Sequence, residues 1–356
     1  MKRILACLLS LSPVFGFGAY LESDTEGDRT TGEPQARERR IAPPPDSGAA
    51  VIRYLDRLRV GAPCRHRGLA VFPLTAGRWP RAMGILSMDE AIRRDRLVVR
   101  EQDKARVPEL QVRNDARQPV FLMAGEILTG GRQNRIVRDD VLLPARSPFV
   151  AIPVYCVEKN RWAGPKAEFS SPARLGHARL RKHAVTGAEQ GVIWGEVDAQ
   201  LRRHRLDSPT RDYQELYESP RIQAELDACM VQLRRCRPGA TVGAVVTFGG
   251  EILSADIFGN RALCAALWEK LFRAHAADCL FGPRARIGRP ALTREDIRRF
   301  LDRAATARFA QRHTPGSGEL LRISGTLDGS ALVWNGEVVH VALFPQDEIR
   351  PLPLRE

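Results

Sequence analysis

The sequence has no Cys-x-x-Cys pair, no cysteine–histidine metal spacing, no His-Glu-x-x-His, no paired Asp-x-Asp and no serine-centred nucleophile elbow. These absences exclude the common zinc motifs, the dithiol redox motif and the serine-hydrolase signature. Aromatic residues are scarce at 6%. Basic residues are not interleaved with them, which argues against a stacking platform for single-stranded nucleic acid. Acidic residues number 42 against 55 basic ones, a formal charge of +13. A surplus of that size favours anionic partners in general: nucleic acid, an anionic membrane surface or a phosphorylated ligand. The arginines are dispersed along the chain, so the plainer meaning is a solvated, arginine-rich surface.

What is present fits a globular protein. The 356 residues are 44% hydrophobic and 27% charged, enough for one large domain or two medium ones with a sizeable core. At the N-terminus Lys2 and Arg3 precede a short apolar run, Ile4 to Phe17, broken by Pro13, with Gly16, Gly18 and Ala19 as small residues for cleavage. This pattern predicts a signal peptide over residues 1–19 and an exported mature chain, periplasmic or secreted. The run is too short for a stable membrane span, so none is expected in the mature chain. Residues 20–47, rich in Asp, Glu, Arg, Thr, Gly and Pro, read as a disordered linker. Residues 48–350 remain for a single domain. Six cysteines stay after the signal: Cys64, Cys156, Cys229, Cys236, Cys264 and Cys279. Their pairing is not legible, except that Cys229 and Cys236, about 10 Å apart along a predicted helix, cannot bond each other.

The chain then reads β-rich, helical, and β-α-α-β-meander, an α+β fold packed as one globular domain. Val51 to Val60 fits a first strand or a short helix. Strands are expected at Leu69 to Leu74, Leu97 to Arg100, Glu109 to Arg113, Val120 to Ala124, Arg135 to Val137, Val141 to Leu143 and Phe149 to Val157. Asn114-Asp115 reads as a hairpin turn, Trp79 to Ala82 as a turn, and Pro153 as an edge or a bulge. Helical periodicity predicts helices at Met88 to Arg94, Arg174 to Ala184, Gln190 to His204, from Ser219-Pro220 onward, at Arg261 to Ala276, and from a capping box at Thr293/Asp296 to about Phe309. Thr241 to Phe248 turns at Gly249-Gly250 into a further strand, and Arg284 to Pro290 is a basic loop. Asp328-Gly329 and Asn335-Gly336 read as turns of the terminal meander.

Two polar clusters end apolar runs, and apolar β runs position polar ends rigidly. The first is Gly130-Gly131-Arg132-Gln133-Asn134-Arg135. Glycines let backbone N–H groups converge on an anion, and arginines hold phosphate or carboxylate in a fork. No Gly-Lys-Ser/Thr follows, so it is no Walker loop; the plain alternative is a glycine hairpin with solvated charges. The second runs from Cys156 through Glu158 and Arg161 to Trp162. Four residues separate Cys156 from Arg161, one too few for a cysteine phosphatase loop, and a strand-embedded cysteine fits an inert small hydrophobe or half a disulfide. Glu126 and Glu158 are the candidate catalytic carboxylates. Glu158 equally fits a structural pair with Arg161 or Arg135. Gly130, Gly131, Arg132, Gln133, Arg135, Arg161 and Trp162 are the candidate ligand-binding residues, with Trp162 stacking on a planar group or packing in the core. No metal ligand set and no cofactor is expected. The repeat of Gly-Glu-Ile-Leu at Gly125 and Gly250 suggests two related units placing Glu126 and Glu251 equivalently. His340 fits a satisfied strand histidine; His66, His177, His183, His204 and His313 read as surface residues. Asp256 fits a helix N-cap or a site carboxylate.

Together these motifs, with Gln190 to Trp194, Val242 to Phe258, Leu267-Trp268 to Leu271 and Val338 to His340, make residues 60 to 345 resemble the ADP-ribosylglycohydrolase-and-rhodanese-phosphatase-associated protein domain. The resemblance implies a link to ADP-ribose or nucleotide metabolism and brings no established reaction. Two functional expectations follow. The first is an exported domain that binds or hydrolyses a small phosphorylated, nucleotide or ADP-ribosyl anion. The second is a non-enzymatic exported binding or scaffold module using the basic helical surface Arg174 to Arg205, with no specific nucleic-acid partner. Oligomeric state is not legible.

Overall fold

Strands that are apolar without alternation are buried on both faces, and the long central strands here are of that kind. The computed structural model describes residues 46–77, 84–102, 108–161, 168–236, 239–281 and 290–346. Within them a nine-stranded sheet runs, in spatial order, Leu58–Val60, Leu69–Ala76, Thr241–Phe248, Glu251–Phe258, Glu337–Pro345, Leu327–Trp334, Glu319–Ser324 and Arg308–Arg312, with Cys64–His66 paired to Leu69–Ala76. Successive side chains point to opposite faces. Ala70, Phe72, Leu74, Val245, Ile257 and Leu343 pack against the helices Asp46–Asp56 and Arg294–Asp302. Val71, Ala244, Val246 and Phe258 face the helices Gln190–His204, Pro220–Leu233 and Arg261–Phe281.

Beside this sheet lie a six-stranded sheet, ordered Phe169–Ser170, Ile127–Gly130, Arg135–Val137, Val150–Cys156, Glu109–Asn114, Leu97–Arg100, and a three-stranded one, Val141–Leu143, Val120–Leu122, Leu86–Ser87. Strands and helices are mixed without regular winding, which makes the fold α+β. Among the described residues no helix is long and apolar enough to cross a membrane.

Several expectations need correcting. The ambiguous Val51 to Val60 is mostly helix, Asp46–Asp56, which begins inside the stretch read as linker. Asn114 closes no hairpin. The strand before it pairs with Leu97–Arg100 and Val150–Cys156, the strand after it with Val141–Leu143 and Leu86–Ser87. Its buried amide instead donates to the carbonyls of Gln118 and Pro144 and accepts from the N–H of Ala116. Pro153 sits in an internal strand, at the point where that strand changes partner from Glu109–Asn114 to Arg135–Val137. Asp328-Gly329 is inside a strand, and the preceding turn is Gly325-Thr326, with Gly325 at φ +105°. Asn335-Gly336 does turn, both residues having positive φ. Glu126 and Glu251 are not equivalent: one is buried beside the small sheets, the other half-exposed on the large one. The predicted turn Trp79 to Ala82, nearly all of the basic loop at Arg284 to Pro290, residue Trp162, the signal segment and the linker up to residue 45 lie outside the described residues.

Cys64 and Cys236 form a disulfide that ties the first strands to the end of the helix Pro220–Leu233. Cys156, Cys229, Cys264 and Cys279 lie outside that disulfide, the first three buried.

Candidate functional site

The glycine–arginine turn and the Glu158 loop come together. Arg161 donates to Gly131 O at 2.8 Å and Gly130 O at 3.3 Å, and its Nε to Glu158 Oε1 at 2.7 Å. Gln133 Nε2 donates to Lys159 O at 3.1 Å. The turn's backbone N–H groups do meet anions, but these are the chain's own carboxylates: Arg132 N donates to Glu101 and Asn134 N to Glu158. Gly130 N is taken by the Asn134 side chain. Arg135 is buried and donates to Gln133 O, with Glu101 at 3.6 Å. Burial pulls its pKa down. The glycines have a steric reason as well. A Cβ on Gly130 would collide with Glu168 O, and one on Gly131 with the Phe169 ring. Both have positive φ. Cys156 is buried, and burial pushes its thiol up to about 11, which removes a thiolate nucleophile at neutral pH. Asp212 is held between Asn134 Nδ2 at 2.7 Å and Gln214 N at 3.0 Å. Burial, with Glu158 nearby, lifts its carboxyl to about 7. The arrangement is a latch between two loops. The grooves described below are lined by other residues.

Glu126 leads elsewhere. Its turn is fixed from both sides: Glu126 N donates to Met123 O, and Met123 N to Glu126 Oε2 at 2.8 Å. Its other oxygen lies 2.6 Å from Lys270 Nζ, which also meets Asp89 Oδ2 at 2.5 Å. Asp89 comes from the first turn of the helix Met88–Arg93, capped by Ser87, and Ser171 Oγ lies 2.5 Å from its second oxygen. Lys270 comes from the long helix Arg261–Phe281. All three residues are buried, Glu126 completely, and an ammonium removed from water requires such partners. Burial raises the Glu126 carboxyl to about 7, Lys270 pulling it down and Asp89 pushing it up.

Lys270 and Asp89 form part of the floor of an open groove of about 470 Å³. Arg93, Arg174 and Arg273 line it too, together with Asp227 and Glu269. Arg273 pairs with Asp227 at 2.6 Å, and Glu269 with Arg234 at 2.7 Å. Arg174 binds the Gln214 side chain, lies over the Tyr217 ring, and has its pKa lowered by burial. Among the described residues, neither Arg93 nor Arg174 has a carboxylate within ion-pair distance. The groove therefore offers two guanidinium groups and the edge of a buried ammonium to an incoming anion.

One residue before Glu126, Gly125 lies against a second buried network. Arg181 makes a two-pronged pair with Asp256, one arm at 2.9 Å. His340 Nδ1 lies 2.7 Å from Asp140 Oδ2, with its Nε2 3.4 Å from Asp256 and its ring stacked on Phe258. Asp140 also accepts from Ala124 N. His275 approaches Asp278 at 3.3 Å and Asp256 at 3.8 Å. Burial alone would raise Asp256, but the Arg181 charge outweighs it and holds the carboxyl well below the usual range. Burial would lower His340, but Asp140 outweighs it and lifts the imidazole to about 9. Asp256 is thus a strand residue in a charge network, and the N-cap role falls to Asn260, whose side chain accepts from Ala262 N and Leu263 N. His177, read as a surface residue, is buried between Tyr213 Oη at 2.8 Å and Glu196 Oε1 at 2.9 Å. Burial would raise Glu196, but the His177 hydrogen bond outweighs it and brings the carboxyl to about 2.

A separate open groove of about 690 Å³ is lined by Arg203, His204, Arg205, Leu206, Arg221, Cys279 and Leu280. Among the described residues no carboxylate lines it, and no group of three or more His, Cys, Asp or Glu is placed to hold a metal ion anywhere.

Lys270, Asp89, Arg93 and Arg273 were not singled out from the sequence, and Arg174 entered only as one end of the basic helical surface. One signal was available: Lys270 is one of only six lysines in a chain with 55 basic residues, and with Glu269 it interrupts the apolar run Leu267 to Phe272. Residues 57–344 match a family model described as the ARG and Rhodanese-Phosphatase-superfamily-associated Protein domain, ARPP-1. Comparison with curated proteins and with solved structures returns no match.

Proposed function

We propose, from the premise that this chain belongs to the ARG and Rhodanese-Phosphatase-superfamily-associated Protein domain family, that it binds a small phosphorylated or ADP-ribosyl anion in the groove over Lys270. Domains of this family are associated with ADP-ribosylglycohydrolase and rhodanese-phosphatase proteins, which supports that ligand class. The observation that carries the proposal is the pair Arg93 and Arg174, which line one groove beside Lys270 and, among the described residues, have no carboxylate within ion-pair distance. Arginine forks recognise phosphate oxygens in pairs. Asp227 and Glu269, which also line the groove, suit ligand hydroxyl groups, as carboxylates accept from them. Glu126 acts from behind, fixing the ammonium.

Arg132, Gln133, Arg135, Glu158 and Arg161 contribute as the latch that holds the neighbouring loops, rather than as ligand contacts. The test is titration with ADP-ribose of the wild type and of the R93A/R174A double variant. Binding by the wild type and its loss in the variant, at unchanged melting temperature, supports the proposal; equal binding by both refutes it.

The proposal keeps the chain exported. The charged-then-apolar N-terminal pattern supports this, and so does the Cys64–Cys236 bond, a link that oxidising compartments sustain. A second reading is favoured by the groove of Arg203, Arg205 and Arg221, which suits an anionic polymer of the cell envelope. Envelope association that falls steeply with salt, without small-molecule binding, would support that scaffold role over the first.

A further inference from the structure

We infer, resting on the reading that the groove takes an anion, that binding is coupled to proton uptake at the buried trio Asp89, Lys270 and Glu126, with Glu126 as the group that gains the proton. The geometry sets up the coupling. One ammonium is shared by two carboxylates, at 2.6 Å and 2.5 Å. An anion arriving over Lys270 brings a third negative charge to the same cation. In a site shielded from water, that charge strongly favours neutralising one of the carboxyls.

The two carboxyls are not equal candidates. Asp89 borders the groove and has the Ser171 hydroxyl at one oxygen. Glu126 is completely buried, and among the described residues only the Met123 N–H supports it besides Lys270. It already sits at about 7 through burial, so a nearby anion moves it further up. The other charged groups around it are engaged. Arg174, on the segment bridged to Glu126, lines the groove with its guanidinium also on the Gln214 side chain and the Tyr217 ring; Arg181, behind Gly125, is held by Asp256; Asp140 accepts from Ala124 N and lies against His340. Arg273, one turn from Lys270, pairs with Asp227.

The sign follows. Binding raises the proton occupancy of Glu126, so affinity for an anion of constant charge falls as pH rises through neutrality, by up to about tenfold per pH unit. The site thus favours anion capture on the acid side.

The experiment is calorimetric titration of the full protein with ADP-ribose and, separately, with sulfate, both of constant charge between pH 6 and 8. Each is run in two buffers of different ionisation enthalpy. The expected result is net proton uptake at pH 7, affinity several-fold weaker at pH 8 than at pH 6, and a flat profile in E126Q. Binding with no net proton uptake and no pH dependence overturns the inference and leaves the anion site standing. Absence of binding by either probe at every pH overturns both. If E126Q does not fold, the two-buffer measurement on the wild type decides alone.

Discussion

Lys270 and Glu126 are 144 residues apart in sequence and 2.6 Å apart in space, an ion pair sealed from water beneath a groove. Removing the cation would strand two buried carboxylates. K270M is expected to lose about 3–5 kcal/mol in chemical denaturation at pH 8. It should recover part of that at pH 5, where a proton replaces the ammonium.

The pH dependence of stability follows from three raised groups, one of them Asp212, raised from 3.8 to about 7, whose contribution is complete below 3.8 and lost as pH rises through 7. Glu126 is raised from 4.5 to about 7, so the folded form holds its proton longer. Its contribution is complete below 4.5 and is lost as pH rises through 7. His340 is raised from 6.5 to about 9, and its contribution is likewise complete below 6.5 and lost as pH rises through 9. Unfolding free energy should therefore fall between pH 5 and 9, by a few kcal/mol in total. H340Q should remove the slope above about pH 8, where the two carboxyls have finished titrating, and leave the lower one; a slope that persists unchanged there contradicts this account of His340.

Gly125 has φ +96°, and a Cβ there would lie 2.5 Å from Arg181 Cγ. G125A is expected to destabilise by about 2–4 kcal/mol through strain and displacement of the Arg181–Asp256 pair. A melting temperature within a degree of wild type would contradict that packing.

Much of the fold was legible because its signals are local. The helices Gln190–His204 and Pro220–Leu233 and the strand Thr241–Phe248 follow from periodicity and from Ser219-Pro220. The capping box at Thr293 and Asp296 is present as read. Asp328-Gly329 misled because Gly329 serves a different need: a Cβ there would collide with Ala342 O on the next strand. The groove was not legible. Asp89 is an acid in the first turn of a short helix, a common local choice, and only the fold brings it to Lys270 and the Arg174 groove. The Gly130–Arg161 motif was legible as a cluster, but not the satisfaction of its N–H groups by Glu101 and Glu158.

That latch gives its own prediction. E158Q weakens the Arg161 pair and the Asn134 contact, so the melting temperature should drop by several degrees. ADP-ribose affinity should stay within twofold. Loss of binding at unchanged stability would return the site to these loops.

Cys64 and Cys236 close a loop of 172 residues. C64S is expected to lose about 2–5 kcal/mol in an oxidising buffer, and wild type plus reductant should show the same loss. No effect of reductant would contradict the bond.

The most direct measurement is ADP-ribose titration of the wild type beside R93A/R174A. The account predicts saturable binding that disappears in the double variant while both proteins melt together. Wild-type affinity retained without those two arginines would contradict it.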